Sequence, residues 1–467
     1  MLQTLRNAWK IEELRKKILF TLVIILLYRL GNAIPVPDVN IALLNAYFAQ
    51  QQSTILGLLD VMSGGAFSNA TIFALSIQPY INASIIIQLL CLAIPSLERL
   101  SKEGGEEGRK KIASITRYAT VAIGLIQGFA YYMLIKNNNM LNADAQGIWS
   151  AIVIILTFTS GSALIMWLGE QITEFGIGNG ISMILFANIV ASFPNTLVRI
   201  FKLIFNTNKN LPDLVNSGYT VTHPNLWWIG TIIGVLGLVM CVALIAFMVF
   251  MTNSERRLPV QYAKRVVGRK MYGGQNTTLP LKLNMTGVMP IIFASSIVSI
   301  PATISMFTGH QNATSGFWGW SNGFNQFNWL YILVFGLLLV AFAYFYVAIS
   351  FNPVEVANNL KKNGGSIPGI RSGKPTSDYI SRVLSRVTFI GAICLLIIAC
   401  LPMILGCIGN AAGTGVSGST TTYNWSYALT YFSFSGNSLL IVVGVVLETV
   451  RAIEAQMTMR NFKGFLE

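Results

Sequence analysis

Ser76-Ile77-Gln78-Pro79-Tyr80-Ile81-Asn82-Ala83-Ser84-Ile85-Ile86-Ile87-Gln88 is the stretch on which the reading of this chain turns. It lies inside an apolar run, 72–94, of the roughly 20 residues that a membrane-spanning helix needs. Yet it interleaves isoleucine with Gln, Asn and Ser. Polar groups on a lipid-exposed helix cost free energy unless they find partners, so this helix is expected to face protein or water. Ile77 and Ile81 are spaced i, i+4 and share one face. Taken alone, that pair reads as core packing.

Nine further runs of similar character flank it. They are 18–34, 115–135, 148–168, 181–205, 226–251, 285–307, 329–351, 387–408 and 429–450. The fifth run in chain order, 181–205, is the least regular, because Pro194 and Arg199 interrupt it. Composition agrees: 53% of the 467 residues are hydrophobic and 11% are charged, where a soluble domain carries about a quarter charged. A signal peptide would explain one apolar run, whereas these recur to the C-terminus. The expected class is an all-α membrane protein with ten transmembrane helices. An even count puts both termini on one side.

Charge decides which side. Of 32 basic residues, only Arg29, Lys136, Arg199, Lys202 and Lys209 fall outside the N-terminal segment, the alternate loops 95–117, 252–284 and 352–386, and the tail. The opposite loops, such as 206–224 and 309–328, are rich in Asn, Thr, Gly and Gln. The positive-inside tendency therefore makes both termini cytoplasmic. The net charge of +14 exceeds what orientation requires. Loops 252–284 and 352–386 are longer than tethers and carry Tyr, Gly and Pro among their cations. They are suited to an acidic partner, ribosomal RNA or anionic head groups, although anchoring to lipid alone also accounts for them.

Other classes are disfavoured. Ion-coupled transporters bury carboxylates, histidines or basic residues near mid-bilayer, and these runs hold almost none. Arg29, near the outer end of the first run, is expected to snorkel to the interface. Glu170 and Glu174 fall just past the fourth. Cys91, Cys241, Cys394, Cys400 and Cys407 lie in or beside apolar runs without a C-x-x-C pair, so they read as small buried hydrophobes. No H-E-x-x-H and no G-x-x-x-x-G-K-[ST] occurs, so no metal site, cofactor or nucleotide site is expected. A small-solute transporter with a midplane site in the second run is the rival reading. An intramembrane enzyme would need paired carboxylates, a Ser–His pair or metal ligands, which the runs lack. Before the second run, residues 50–69 hold an apolar piece too short to span, ending in Gly64-Gly65, a flexible hinge.

Residues 73–90 closely resemble the second transmembrane helix of the SecY family, the channel subunits of the bacterial Sec translocase. Similar family stretches are Lys102-Glu103-Gly104, 108–112, 116–118, 166–174 and 176–182. Others are Tyr262-Ala263-Lys264-Arg265, Leu279-Pro280-Leu281-Lys282, Phe293-Ala294-Ser295-Ser296, Phe351-Asn352-Pro353 and Pro368-Gly369-Ile370-Arg371. The likeness extends from the basic N-terminus to 439–443 and fades mainly in the external loops.

That resemblance implies two pseudo-symmetric five-helix halves, 1–205 and 206–467, around a central pore in the bacterial cytoplasmic membrane. It implies a waist ring of Ile77, Ile81, Ile181, Leu185, Ile292 and Ile441, with Leu185 replacing the usual isoleucine. A narrow apolar ring resists leakage yet adapts to any passing side chain. It implies a plug over about 55–67, including Ile55, Leu58, Leu59, Met62, Gly64, Gly65 and Phe67. A lateral exit for signal peptides would run between the second and seventh spans, near Asn82, Ser84, Gln88, Ser295 and Ser296. Lys264, Arg265, Arg269, Lys270 and Arg371 would dock the motor ATPase SecA or the ribosome. SecE and SecG subunits, unfolded preproteins and membrane lipids complete the implied partners. The chain would be a channel rather than an enzyme, with energy supplied by the partner ATPase.

Overall fold

The computed structural model describes residues 6, 8–50, 59–60, 62–102, 104–142, 147–205, 220–221, 227–262, 265–267, 270–272, 276–307, 328–413, 421–422 and 424–463. The described helices, in chain order, begin with α1 (Glu12–Gly31), α2 (Ile41–Gln50), α3 (Gln78–Ala93) and α4 (Pro95–Lys102). They continue with α5 (Gly105–Asn137), α6 (Ile148–Phe175), α7 (Gly180–Phe205) and α8 (Trp227–Asn253). The remainder are α9 (Met289–Phe307), α10 (Trp329–Ser350), α11 (Pro353–Lys362), α12 (Lys374–Gly413) and α13 (Asn424–Lys463). Each of the ten expected runs contains one of these helices, with α2, α4 and α11 as short connectors.

Boundaries differ where proline or polar extensions intervene. The second span was expected from residue 72, but its helix starts at Gln78, with Pro79 in the first turn. Proline has no N–H and its ring would clash with the carbonyl four residues back, so a helix begins there readily and does not run through it. Residues 72–77 instead form turns, and Ser76 takes a left-handed φ of 50°. Gly161 of α6 lets this non-helical segment pass close by. A Cβ there would lie 2.0 Å from the Ile72 carbonyl oxygen. At the other extreme, α12 and α13 run 40 residues each, far past their apolar cores.

Packing follows from which faces are apolar and which are shared. Helix α1 buries Thr21, Ile24, Tyr28 and Gly31 and turns Leu22, Val23, Leu26, Leu27 and Leu30 outward. In water that outward stripe would be an aggregation liability; in a bilayer it is solvated. Among the described residues, five segments are long and apolar enough to span by themselves, in α5, α6, α8, α10–α11 and α12. The shorter apolar stretches belong to α3, α7 and α9. These three contain Pro79, Pro194 and Pro301 and are packed by neighbours on several sides. Helix α3 packs on α5, α6 and α9; α7 on α6, α8 and α13; α9 on α3, α5 and α10. Helices enclosed by protein tolerate breaks and polar groups that lipid would penalise.

The long basic loops are not purely helical. Loop 252–284 folds as an antiparallel ribbon in which β2 (Glu255–Tyr262) pairs with β5 (Asn276–Lys282), Leu258 opposite Leu279. A second hairpin, β3 (Arg265–Val267) with β4 (Lys270–Tyr272), sits between them. From the other long loop, β6 (Gly365–Ser366) joins the free edge of β2, making a three-stranded sheet in the order β5-β2-β6. Beneath it, Leu258, Leu281, Ile367 and Ile380 form a small separate core. Elsewhere, β1 (Thr220–Val221) and β7 (Thr421–Thr422) pair in parallel.

Candidate functional site: an apolar waist, its cap and its seam

The expected waist residues come from four helices and their approaches. Ile81 lies on α3 and Ile77 caps it. Ile181 and Leu185 lie on α7, Ile292 on α9 and Ile441 on α13. Ile77, Ile81, Leu185, Ile292 and Ile441 are buried in a single hydrophobic cluster, and half-buried Ile181 packs against it. None turns toward lipid. Gly180 at the start of α7 lets it approach α6 closely, since a Cβ there would lie 1.9 Å from the Gly169 carbonyl oxygen.

The expected plug enters the same cluster. Ile55 and Leu58 lie outside the described residues. Leu59 is half-buried against the core, while Met62 and Phe67 belong to it. Gly64 and Gly65 adopt φ of 69° and 83°, a region that costs a residue with a Cβ. Phe67 is wedged among aromatics: its ring stacks on Tyr131 at 4.4 Å and meets Phe48 edge-on at 5.3 Å. The Tyr131 hydroxyl donates to the Phe67 carbonyl. The turn itself is organised by Asp60, whose Oδ1 accepts from the Ser68 N–H at 2.8 Å and whose carbonyl accepts from Ser63 Oγ at 2.9 Å. Burial pushes the Asp60 carboxyl above its ordinary range, and the hydrogen bond from Ser68 works against that rise.

Arg29 does not snorkel outward. Its Nη2 donates to the Ala187 carbonyl at 3.3 Å and its Nη1 reaches the Gly64 carbonyl at 3.5 Å. Inside the bundle, the main-chain carbonyls of Gly64 and Ala187 give the guanidinium hydrogen-bond partners that an acyl-chain environment lacks.

At the expected seam, α3 packs directly on α9. Asn82, Ser84 and Gln88 are half-buried there. Ser295 and Ser296 bond back to the Ile292 carbonyl of their own helix, at 2.8 and 2.9 Å. The polar contact that crosses between helices is another one: the Tyr346 hydroxyl of α10 donates to Gln88 Oε1 at 2.8 Å, while Gln88 Nε2 donates to Ser84 Oγ at 3.1 Å. The Tyr346 ring also meets Phe293 of α9 at 5.2 Å, so α3, α9 and α10 converge on one side chain. Nothing in the spacing of the apolar run 329–351 singles Tyr346 out.

The two basic loops, expected as separate docking elements, form one platform through β6. Arg371 is exposed, and its carbonyl accepts from Thr376 Oγ1 at 2.8 Å. Gly369 and Gly373 on either side take positive φ. Arg265 and Lys270 lie on β3 and β4; Lys264 and Arg269 lie outside the described residues. All five cysteines are free. Among the described residues no three His, Cys, Asp or Glu side chains gather as metal ligands would.

The chain that carries this arrangement has known relatives. The SecY family model matches residues 71–450. The protein translocase subunit SecY of Streptomyces scabiei is 43% identical over 483 aligned residues, covering 100% of both chains. The chain belongs to the SecY family. Among solved structures, "The structure of a protein conducting channel" matches with a TM-score of 0.58 at 15% identity, over 95% of this chain and 92% of that one. The Sec61 channel in a canine ribosome-channel complex matches at 0.55, also at 15% identity and over the same shares. As a SecY-family member the chain is a multi-pass, ten-helix membrane protein, and it is a channel subunit rather than an enzyme.

Proposed function

We propose that this chain forms the protein-conducting channel of a Sec translocase. It moves unfolded secretory proteins across the bacterial cytoplasmic membrane and releases apolar segments sideways into lipid, with both termini in the cytoplasm. One observation carries the reading: side chains at 77, 81, 181, 185, 292 and 441, far apart in sequence and borne by four helices, share one dry apolar cluster. In the idle channel they act as a ring that excludes water and ions. Flexible aliphatics bind no cargo tightly, so an extended chain can slide between them.

The halves are 1–205 and 206–467. Helices α1, α3, α5 and α6 pack chiefly among themselves, as do α8, α9, α10, α12 and α13, while α7 packs on α6 and equally on α8 and α13; the other junctions are α3 with α9 and α5 with α9. Parting α3 from α9 opens the lateral exit, where Gln88, Tyr346 and the serines of α9 line the way. The residues around Met62–Phe67 plug the waist from outside. The platform of loops 252–284 and 352–386 receives SecA or a translating ribosome through Arg371 and its neighbouring cations, and SecE and SecG are the companion subunits. The chain contributes no ATP chemistry, so a bound motor or ongoing synthesis drives transport.

The test is photo-crosslinking of a stalled secretory precursor from probes placed beside Ile81 and Ile292. Both positions are expected to capture the precursor. Capture only from lipid-facing control positions, such as Leu26, would remove the waist from the path of the chain.

A further inference from the structure

We propose that Arg29 and Asn188 are positioning residues that clasp the plug by its main chain and thereby set how often the idle channel opens. The inference deepens the plug reading above and rests on it.

The clasp is polar machinery in the middle of an apolar core. Asn188 of α7 is fully buried, with 0% of its surface exposed. Its Nδ2 donates to the Met62 carbonyl at 2.9 Å and to Ser76 Oγ at 3.1 Å. One amide therefore ties the plug to α7 and to the turn that enters α3, where Ser76 holds a left-handed φ of 50°. One residue before it, the Ala187 carbonyl accepts from Arg29 Nη2, and the other arm of the guanidinium reaches the Gly64 carbonyl. Two separate elements, α1 and α7, thus close on residues 62–64, and the turn at Ser76 braces Asn188 from the other side. The fit is tight: a Cβ on Gly64 would lie 3.1 Å from the Asn188 Cα and 3.2 Å from Arg29 Nη1.

Two features suit this contact to a seal that must yield. Both Asn188 and Arg29 address the plug through its carbonyls, so the grip does not depend on plug side chains. The closed state also crowds buried polar groups beside the grip: the Tyr28 hydroxyl lies within reach of Asn32, Ser76 and Asn188, yet neither it, nor Asn188 Oδ1, nor the side-chain polar atoms of Asn32 make a hydrogen bond of ordinary geometry. Buried polar groups whose hydrogen bonds are poorly aligned weigh against the state that buries them. Withdrawal of the plug admits water to these atoms. Two donors hold the seal while the poorly paired groups beside them favour its release, which leaves closure strong enough to stop leakage and weak enough for a signal peptide to overcome.

The experiment compares Asn188→Leu, Arg29→Gln and a deletion of residues 62–67 in the full chain within its purified membrane complex. Three quantities are read: idle ion conductance in planar bilayers, export of a reporter with an intact signal, and export of one with a weakened signal. Loss of one hydrogen bond shifts a closed-to-open ratio by about fivefold. Each point variant is expected to raise idle conductance by about that factor and to rescue the weakened signal, while the intact reporter is exported normally. A variant that merely damages the bundle lowers both kinds of export. Unchanged conductance in the point variants, alongside a leaky deletion, overturns the clasp and leaves the plug reading standing. A deletion without added leakage overturns both. Should Asn188→Leu fail to accumulate, Arg29→Gln, which alters a half-buried side chain, decides the matter alone.

Discussion

The waist and the loop platform solve opposite problems with different materials. At the waist, side chains from α3, α7, α9 and α13 merge into the large central cluster, and what matters is the absence of charge and of space. The platform rests on a core of four buried residues, Leu258, Leu281, Ile367 and Ile380, and presents its cations outward on strands and turns. A seal made by collective packing fails abruptly when one member is changed. A docking surface made of exposed charges degrades in small, salt-dependent steps, because each solvated ion pair contributes little. The difference teaches that the same chain keeps its tightest tolerances where nothing binds.

The contrast can be broken most forcefully at the waist. Replacing Ile81 or Ile292 with lysine puts an unpaired charge into a dry cluster, costing the closed state several kcal/mol. Idle conductance of the purified complex in a planar bilayer is expected to rise steeply in both variants, and an unaltered conductance would count against the ring. Next in size is Leu281→Ala, which removes about 2–4 kcal/mol from the platform core. Limited proteolysis is expected to cut loops 252–284 and 352–386 together and faster, with idle conductance unaffected; leakage in this variant would mean the two regions are not independent. Tyr346→Phe keeps the ring but removes the bond to Gln88, loosening the seam by about 1 kcal/mol. Crosslinking of a signal peptide between α3 and α9 should rise modestly, and a decrease would place that bond elsewhere in the cycle. Arg371→Ala changes fold stability by less than about 0.5 kcal/mol. Binding of the motor or the ribosome to the complex is expected to weaken and to lose part of its salt dependence.

Much of the bundle could be read in advance because span length is a local, additive signal. Each expected run contains a helix, and the enclosed character of the second is visible in Asn82, Ser84 and Gln88. Its starting point was misjudged because hydropathy counts Ile72, Phe73 and Leu75 as spanning residues, whereas Pro79 and the left-handed Ser76 forbid a continuous helix. The platform sheet was missed although its signal was present: Leu258 with Val260, and Leu279 with Leu281, alternate as a half-buried ribbon does. Arg29 could not be assigned from spacing. An arginine at a span's outer end has the same sequence context whether it turns to the interface or inward, and its partner Ala187 lies 158 residues away. Tyr346 is likewise separated from Gln88 by 258 residues.

The length of α12 has a mechanical consequence. Ile380 is anchored in the platform core and Ile398 in the membrane core, and no proline separates them, the first within the helix after residue 375 being Pro402. The 18-residue step from one to the other makes a shaft of roughly 27 Å. Any tilt imposed on the platform end is delivered, undamped by a flexible joint, to α10 and α13 alongside it. Those two helices carry Tyr346 and Ile441, so one push at the surface bears on the sideways exit and on the bottleneck at once.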